Sequence, residues 1–264
     1  MEIQEHQERF KCPQPIKMAI FGAYGVGKTS VLYTAPPQTL CVDLEAGLLA
    51  VQSWKGDVLR PKTWEEIRDL AVLLGAPNPA FPAHHIYGPL YHQKCLEQYS
   101  DLHQCLQTYT CIFVDSLTAI SRICLAWCKA QPSCFSESSH KLDLRRVYGL
   151  LSQELISWLT HLQHVPDKDI VLVGLLSKRE EDGKPLTWIP QIEGLKTQEE
   201  LPGILDEVVT MAILKDESGI QKRQFVCHTL NPWAMPAKDR SGKLAQCESP
   251  HLENLFYKMR GDQS

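Results

Sequence analysis

The chain has 264 residues, of which 44% are hydrophobic and 22% are charged, and its formal net charge is −4 with histidines neutral. These values are close to the averages for folded globular domains and exclude a disordered protein, a coiled coil and a collagen-like fibre. The negative balance also excludes a chain that attracts nucleic acid over its whole surface, so any such site must be a local basic patch.

Elements predicted in the first half of the chain alternate between strand and helix. They are a strand at Met18 to Phe21, a helical segment at Lys28 to Ala35 ended by Pro36, a strand at Thr39 to Asp43, a helix at Trp64 to Leu74, a surface loop at Ala76 to Pro89, a helix at Tyr91 to Gln107 and a strand at Cys111 to Asp115.

The second half continues the alternation and then changes. It predicts helices at Ser116 to Ala130 and Leu142 to His164, a strand at Asp169 to Leu176, a hairpin with a turn at Asp182-Gly183, strands at Val208 to Leu214 and Arg223 to Thr229, and a final helix at Leu252 to Met259. This order predicts an α/β fold with a mostly parallel sheet flanked by helices and an antiparallel C-terminal portion. Ligands of such sheets bind at the carboxyl ends of the strands.

Domain organisation and location follow from simpler features. We expect residues 1 to 14 to be a charged N-terminal arm. No repeat or linker divides residues 15 to 264, which we expect to be one domain. The apolar run Ile170 to Leu176 is far shorter than the roughly 20 residues of a membrane helix. We therefore expect no membrane association, no signal peptide, a cytoplasmic location, and reduced thiols for the ten cysteines.

The strongest motif lies between the first strand and the following helical segment. Residues 22 to 29 read GAYGVGKT and fit G-x-x-x-x-G-K-[ST] without a mismatch. In this phosphate-binding loop the glycines turn backbone N–H groups toward a phosphate, the lysine reaches the β- and γ-phosphates, and the threonine hydroxyl ligates Mg²⁺. The predicted nucleotide-binding residues are Gly22, Ala23, Tyr24, Gly25, Val26, Gly27, Lys28, Thr29 and Ser30.

Acidic residues end two of the predicted strands. Asp115 follows four apolar residues and is the candidate second Mg²⁺ ligand beside Thr29. Asp43 and Glu45 follow the strand after the loop, where a carboxylate can orient and deprotonate a water aligned with the γ-phosphate. A pair of solvated acids at a strand end is the alternative.

The segment TLCVD followed by LEAG, residues 39 to 47, resembles the Asp-x-Glu element of RecA-like recombinase ATPases. By this resemblance Glu45 is the catalytic base and Asp43 its structural companion. RecA-like cores also carry a polar residue that senses the γ-phosphate after the strand that Leu176 ends, where this chain has Ser177 or Lys178 but no glutamine at position 177. Lys238-Asp-Arg240 is similar to the K-x-R pair that acts on a neighbouring subunit's nucleotide.

Over residues 15 to 260 the chain is similar to phage-encoded RecA-like P-loop proteins that act as single-strand annealing ATPases. The resemblance implies a RecA-like P-loop NTPase fold and slow ATP hydrolysis with Mg²⁺. It also implies single-stranded DNA and a single-stranded DNA-binding protein as partners, self-association, and a role in phage recombination in the cytoplasm of the bacterial host. The DNA-binding candidates are Arg145 and Arg146 beside Lys141, and Lys178, Arg179 and Lys184 with Trp188 as a stacking surface.

Two other functions compete with this interpretation. A small-molecule or nucleoside kinase uses the same loop, although it would usually show an arginine-rich lid, and the nearest basic cluster is Lys141 to Arg146. A guanine-specific switch would carry an Asn/Thr-Lys-x-Asp element, which the string SKRE at residues 177 to 180 does not match.

A solvated hairpin is the alternative to DNA binding for the basic residues 178 to 184.

Overall fold

The computed structural model describes residues 14–79, 81–179, 187–215 and 219–261. Within these residues ten strands form one connected sheet. The strands are β1 (Lys17–Gly22), β2 (Thr39–Asp43), β3 (Asp57–Leu59), β4 (Cys111–Asp115), β5 (Asp169–Arg179), β6 (Thr187–Pro190), β7 (Glu207–Lys215), β8 (Gln221–Val226), β9 (Lys238–Asp239) and β10 (Cys247–Glu248).

Helices cover both faces of this sheet. The α-helices are α1 (Trp64–Leu74), α2 (Pro89–Gln98), α3 (Ser100–Leu106), α4 (Leu117–Ala130), α5 (Leu144–Gln163), α6 (Leu195–Ile204) and α7 (Leu252–Arg260). Three short 3-10 helices lie at Thr29–Thr34, Leu48–Val51 and Pro132–Cys134.

The strand order is β10-β8-β7-β1-β5-β4-β2-β3. The strands from β7 to β3 are parallel, whereas β8 and β10 extend the sheet antiparallel to their neighbours. β6 and β9 add short antiparallel pairings to β5 and β7. The predicted fold is therefore confirmed: β5 lies between the loop-bearing strand β1 and the acid-bearing strand β4, the order of a RecA-like P-loop NTPase.

Continuous apolar runs place the central strands in the core, because a parallel sheet is covered on both faces. Every residue of β1, β2 and β4 is buried. Helices α1, α4 and α5 pack on one face, and α7 with the 3-10 helix at Thr29–Thr34 packs on the other. The carboxyl ends of β1, β2 and β4 therefore form a rigid edge on which a site can be built.

Some elements differ from those predicted. The helical segment after the loop is a 3-10 helix with i to i+3 hydrogen bonds such as Val31 N to Lys28 O, and the extended Ala35 before Pro36 ends it early. The helix predicted at Tyr91 to Gln107 is divided into α2 and α3 at Tyr99, whose backbone leaves the helical region. β3 and α6 were not predicted, because β3 has three residues and α6 contains Pro202.

Several cysteine side chains and the His161 side chain lie in buried environments. Cys41, Cys111 and Cys227 are buried free thiols, as predicted. His161 is buried against Tyr87 of the predicted surface loop, with ring centroids 4.4 Å apart. Burial lowers the pKa of His161 to about 4.

Among the described helices, none is both long and apolar enough to cross a membrane.

Candidate nucleotide-binding site

The loop between β1 and the 3-10 helix needs its three glycines for two reasons. Gly25 and Gly27 have φ angles of +70° and +100°, where a side chain is strained. A Cβ at Gly22 would lie 2.7 Å from the carbonyl oxygen of Met211 on the neighbouring strand. The loop can therefore turn tightly and approach the sheet only because these positions are glycine.

The rest of the loop is anchored at one point and open at its tip. Val26 is buried in the core, whereas Ala23, Tyr24 and Gly25 are exposed, and Tyr24 is 90% accessible. Ser30 begins the helical hydrogen bonding by donating its N–H to Gly27 O at 3.1 Å. The backbone N–H groups at the tip are thus presented to solvent, where a phosphate can reach them.

Lys28 lies across this loop. Its Nζ donates hydrogen bonds to Gly22 O at 3.1 Å and to Ala23 O at 2.9 Å. Burial lowers the pKa of Lys28, while the charges of Asp115 and Glu45 act in the opposite direction. The ammonium group is therefore held between the loop carbonyls and the acidic residues at the ends of β2 and β4.

Thr29 and Asp115 meet beside the loop. Thr29 Oγ1 donates a hydrogen bond of 2.6 Å to Asp115 Oδ2. Burial raises the pKa of Asp115, although the hydrogen bond from Thr29 opposes the change. A hydroxyl and a carboxylate side by side are oxygen ligands that suit Mg²⁺, and a bound cation would offset the cost of burying the carboxylate charge.

Glu45 reaches the same place from the end of β2. Ser116 Oγ donates a short hydrogen bond to Glu45 Oε1, and Leu44 N donates to Asp115 O at 2.8 Å. Ser116 also caps α4, since its hydroxyl accepts a hydrogen bond of 3.1 Å from Ala119 N. Glu45 is exposed, and Ser116 orients one oxygen of its carboxylate.

Asp43 has a different environment, because its side chain is buried. Its Oδ1 accepts hydrogen bonds of 3.3 Å from the N–H groups of Glu45 and Gly47, and Arg60 Nε donates to its Oδ2 at 2.9 Å. Asp43 thus fixes the backbone that carries Glu45. Ser116 and Arg60 were not predicted as site residues, because Ser116 simply follows Asp115 and no local pattern connects Arg60 to Asp43.

Lys238 and Arg240 lie at the opposite edge of the sheet. β9 pairs with the first residues of β7, and Glu207 at that end is level with Met18, near the start of β1. Lys238 Nζ donates to Pro202 O at 2.5 Å and Leu205 O at 2.6 Å at the end of α6.

The Arg240 guanidinium donates to Asp206 Oδ1 at 2.6 Å and to Gly203 O at 3.2 Å. Both cations therefore stabilise the end of α6 within their own chain. The prediction that Lys238 and Arg240 act on a neighbour's nucleotide gains no support from this arrangement, because that role would require these contacts to break.

The predicted sensor region is part of a longer strand than expected. β5 continues through Ser177 and Lys178, which pair with Ile189 and Trp188 of β6. Lys178 Nζ lies 5.1 Å from the centre of the Trp188 ring, a cation–π contact. Arg179 is exposed at the end of β5, while Lys184 and the turn predicted at Asp182-Gly183 fall outside the described residues.

The second basic candidate is the first turn of α5. Arg146 is held locally, because its Nη1 donates to Phe135 O at 3.2 Å and its Nε lies 3.5 Å from Asp143 Oδ2. Arg145 is exposed, and its guanidinium has no hydrogen bond or ion pair with any described residue. Tyr148, which was not among the predicted DNA-binding residues, is 43% exposed one turn further along the helix.

The sheet order, the glycine loop and the acids beside it define a P-loop ATPase with a RecA-like fold. Residues 14–241 match the family described as an AAA domain, and the chain belongs to this family. No curated protein matches the chain by sequence.

Solved structures show more distant likenesses. A prototypical ATPase from the type III secretion system of pathogenic bacteria is 15% identical with a TM-score of 0.37, over 76% of this chain and 52% of the other. A KaiC-like protein from the hyperthermophilic archaeon Pyrococcus horikoshii OT3 is 12% identical with a TM-score of 0.36, over 81% of this chain and 79% of the other. The chain thus spans about half the length of the secretion ATPase chain.

Proposed function

We propose that this ATPase binds ATP with Mg²⁺ at residues 22 to 30 and couples its hydrolysis to the binding and annealing of single-stranded DNA in phage recombination. One observation carries the catalytic part of the proposal. Lys28, Thr29, Asp115 and Glu45 come from three separate segments and lie at one edge of the sheet. There Thr29 is hydrogen-bonded to Asp115, and the charges of Asp115 and Glu45 act on Lys28.

Each side chain has a distinct role in hydrolysis. The loop N–H groups and Lys28 bind the phosphates, and Glu45 orients and deprotonates the attacking water while Ser116 holds its carboxylate. Thr29 and Asp115 would hold Mg²⁺, which neutralises charge that develops on the phosphate oxygens. The Lys28→Ala variant is the control for loss of activity, since it should lose hydrolysis and most ATP affinity while the protein remains folded.

Support for the DNA part of the proposal comes from the direction of α5. Leu162, near the end of α5, lines the same small cavity as Ile170 at the start of β5. Leu151, in the middle of α5, lies beside Gly194, because a Cβ added to Gly194 would be 3.4 Å from the Leu151 side chain. Gly194 follows β6, which pairs with the carboxyl end of β5. Arg145 is six residues before Leu151 in the helix, about 9 Å further along its axis, and so lies beyond the sheet edge that carries the phosphate loop.

We name the exposed residues Phe135, Lys141, Arg145 and Tyr148 the α5 patch. It combines two cations with two aromatic rings that are 37% and 43% accessible for Phe135 and Tyr148. Single strands bind to such surfaces through phosphate contacts and base stacking, which tolerate many sequences. Lys178 and Arg179 at the end of β5 offer a second, smaller set of cations on the same edge.

The experiment is an ATPase assay with and without single-stranded DNA, with duplex DNA of the same sequence as a control. We expect single strands, and not the duplex, to raise the ATPase rate at low salt. An ATPase rate that DNA does not change, but that a nucleoside or another phosphate acceptor raises, would establish the kinase alternative. Lys28→Ala should be inactive in every arm, and undiminished turnover of this variant would remove the assignment of residues 22 to 30 as the phosphate-binding loop.

Association with a single-stranded DNA-binding protein and with further copies of the chain rests on the family resemblance alone. Light scattering with and without ATP and single-stranded DNA tests self-association, and a pull-down with the purified binding protein tests the partner. A chain that stays monomeric under all conditions would contradict self-association. An unretained binding protein would contradict the second.

A further inference from the structure

Arg223 of β8 rests against the phosphate loop. A Cβ placed on Gly27 would lie 3.0 Å from Arg223 Nη1 and 3.2 Å from its Cζ. The guanidinium therefore packs directly on the α-carbon of the last glycine of the loop. A larger residue at position 27 would meet this group in addition to the strain of a positive φ.

The topology explains how a C-terminal strand reaches this loop. β7 pairs with β1, placing Met211 opposite Gly22, and β8 pairs with β7, placing Arg223 opposite Ile213. Two strand spacings of about 4.8 Å separate β8 from β1, and an extended arginine side chain covers much of that distance. The contact thus depends on the antiparallel β7–β8 hairpin that extends the parallel sheet.

The charge of Arg223 is not neutralised by the described part of the chain. Its side chain makes no hydrogen bond or ion pair with residues 14–79, 81–179, 187–215 or 219–261. Lys28, by contrast, interacts with Asp115 and Glu45 on the other side of the loop. A free guanidinium beside a loop of exposed N–H groups is complementary to an anion, and its planar fork matches two phosphate oxygens.

We propose that Arg223 is a phosphate-binding residue of the nucleotide site, supplied by the same chain. The inference rests on nucleotide binding to the loop at residues 22 to 30. Because Glu45 and Asp115 lie on the opposite flank, Arg223 contacts the α- or β-phosphate and not the γ-phosphate. It therefore contributes equally to binding of ATP and ADP and leaves the hydrolysis step unchanged.

The test is calorimetric titration of the full chain with ADP, a non-hydrolysable ATP analogue and inorganic tripolyphosphate. Arg223→Ala should weaken all three by about tenfold, the loss expected for one charge-assisted contact. In the ATPase assay KM should rise while kcat at saturating ATP stays the same. Arg223→Lys should recover part of the affinity, because it restores the charge without the planar fork.

Lys222→Ala is the matched control, since it removes a cation from the adjacent position of the same strand and should leave affinity unchanged. Circular dichroism and the melting temperature establish that each variant is folded. Unchanged affinity of Arg223→Ala for all three ligands would overturn the inference. Weakening for ADP without weakening for tripolyphosphate would also overturn it, because the contact would then be to the base or ribose.

A loss confined to the ATP analogue and kcat would overturn the assignment to the α- or β-phosphate. If the unmodified protein binds none of the ligands, nucleotide binding itself fails. That outcome differs from a failure of Arg223, because a working site with an indifferent Arg223→Ala variant leaves the proposed function standing.

Discussion

Thr29 Oγ1 donates a hydrogen bond of 2.6 Å to Asp115 Oδ2, although the two residues are 86 positions apart in the chain. Thr29 belongs to the segment after β1 and Asp115 ends β4, with β5 between those strands. The contact joins the phosphate loop to the candidate Mg²⁺ carboxylate. It gives the site a direct test, because the two side chains have different roles in metal binding.

Asp115→Asn should remove Mg²⁺-dependent hydrolysis, with a loss of at least about 10²-fold, because the amide keeps the shape of the side chain but not its charge. The measurement is the ATPase rate as a function of Mg²⁺ concentration. Thr29→Ser is the control and should keep most activity, since it retains the hydroxyl. An Asp115→Asn variant with normal Mg²⁺ dependence would move the metal site elsewhere.

Glu45→Gln should reduce kcat by roughly 10² to 10⁴ while ATP affinity stays the same, because a general base acts in the reaction and not in binding. The rate is measured at saturating ATP and the affinity by titration. Glu253→Gln, an exposed position on α7, is the control and should be normal. Full activity of Glu45→Gln would return Glu45 to a solvated acid at a strand end.

Arg145→Ala should weaken binding to single-stranded DNA and lower the slope of log affinity against log salt by about one phosphate contact. Binding is measured by fluorescence anisotropy at several salt concentrations. Lys243→Ala removes an exposed cation after β9, close to the opposite edge of the sheet, and should have no effect. Equal effects of the two substitutions would show that the chain binds DNA without using the α5 patch.

Arg240→Ala should lower the melting temperature by a few degrees and leave the ATPase rate per folded molecule unchanged. The partly exposed ion pair with Asp206 is worth about 1 kcal/mol or less, and that corresponds to roughly 2–4 °C for a domain of this size. The activity of Arg240→Ala mixed with Glu45→Gln should equal the sum of the two. Recovery of activity in the mixture would instead support the trans role first expected from the sequence.

Glu207 makes stability depend on pH. Burial raises its pKa to about 7 from an ordinary value of 4.5, and its Oε2 has no hydrogen-bond partner among the described residues. Between these values the folded state binds more protons than the unfolded state, so the contribution of Glu207 to stability falls as pH rises from 4.5 through 7.

Glu207→Gln should therefore match the unmodified protein near pH 5 and be more stable at pH 8, by on the order of 1–3 kcal/mol. The measurement is the free energy of unfolding in denaturant at both pH values. Using the difference between variant and unmodified protein cancels the opposite pH dependence of other groups such as His161, whose pKa is lowered. A difference that does not change with pH would contradict the raised pKa.

Local patterns were enough to predict much of this site. The bounds of β2, β4 and α1 follow from continuous or periodic apolar residues between turn residues, and the structure reproduces them. The glycine spacing of the loop specifies its own geometry, because a positive φ and a close approach are properties of single residues. Asp115 was predicted to lie beside Thr29 because the carboxyl ends of parallel strands lie at the same edge of a sheet.

Tertiary structure decided the rest, since those contacts join residues with no sequence relationship. The K-x-R motif at Lys238 and Arg240 says nothing about β9 pairing with the start of β7, which directs both side chains to the end of α6. In the sequence nothing distinguishes Arg223 from other strand residues, and only the β7–β8 hairpin places it beside Gly27. Short-range patterns determine which groups a segment carries, whereas the pairing of distant strands determines which of those groups meet a ligand.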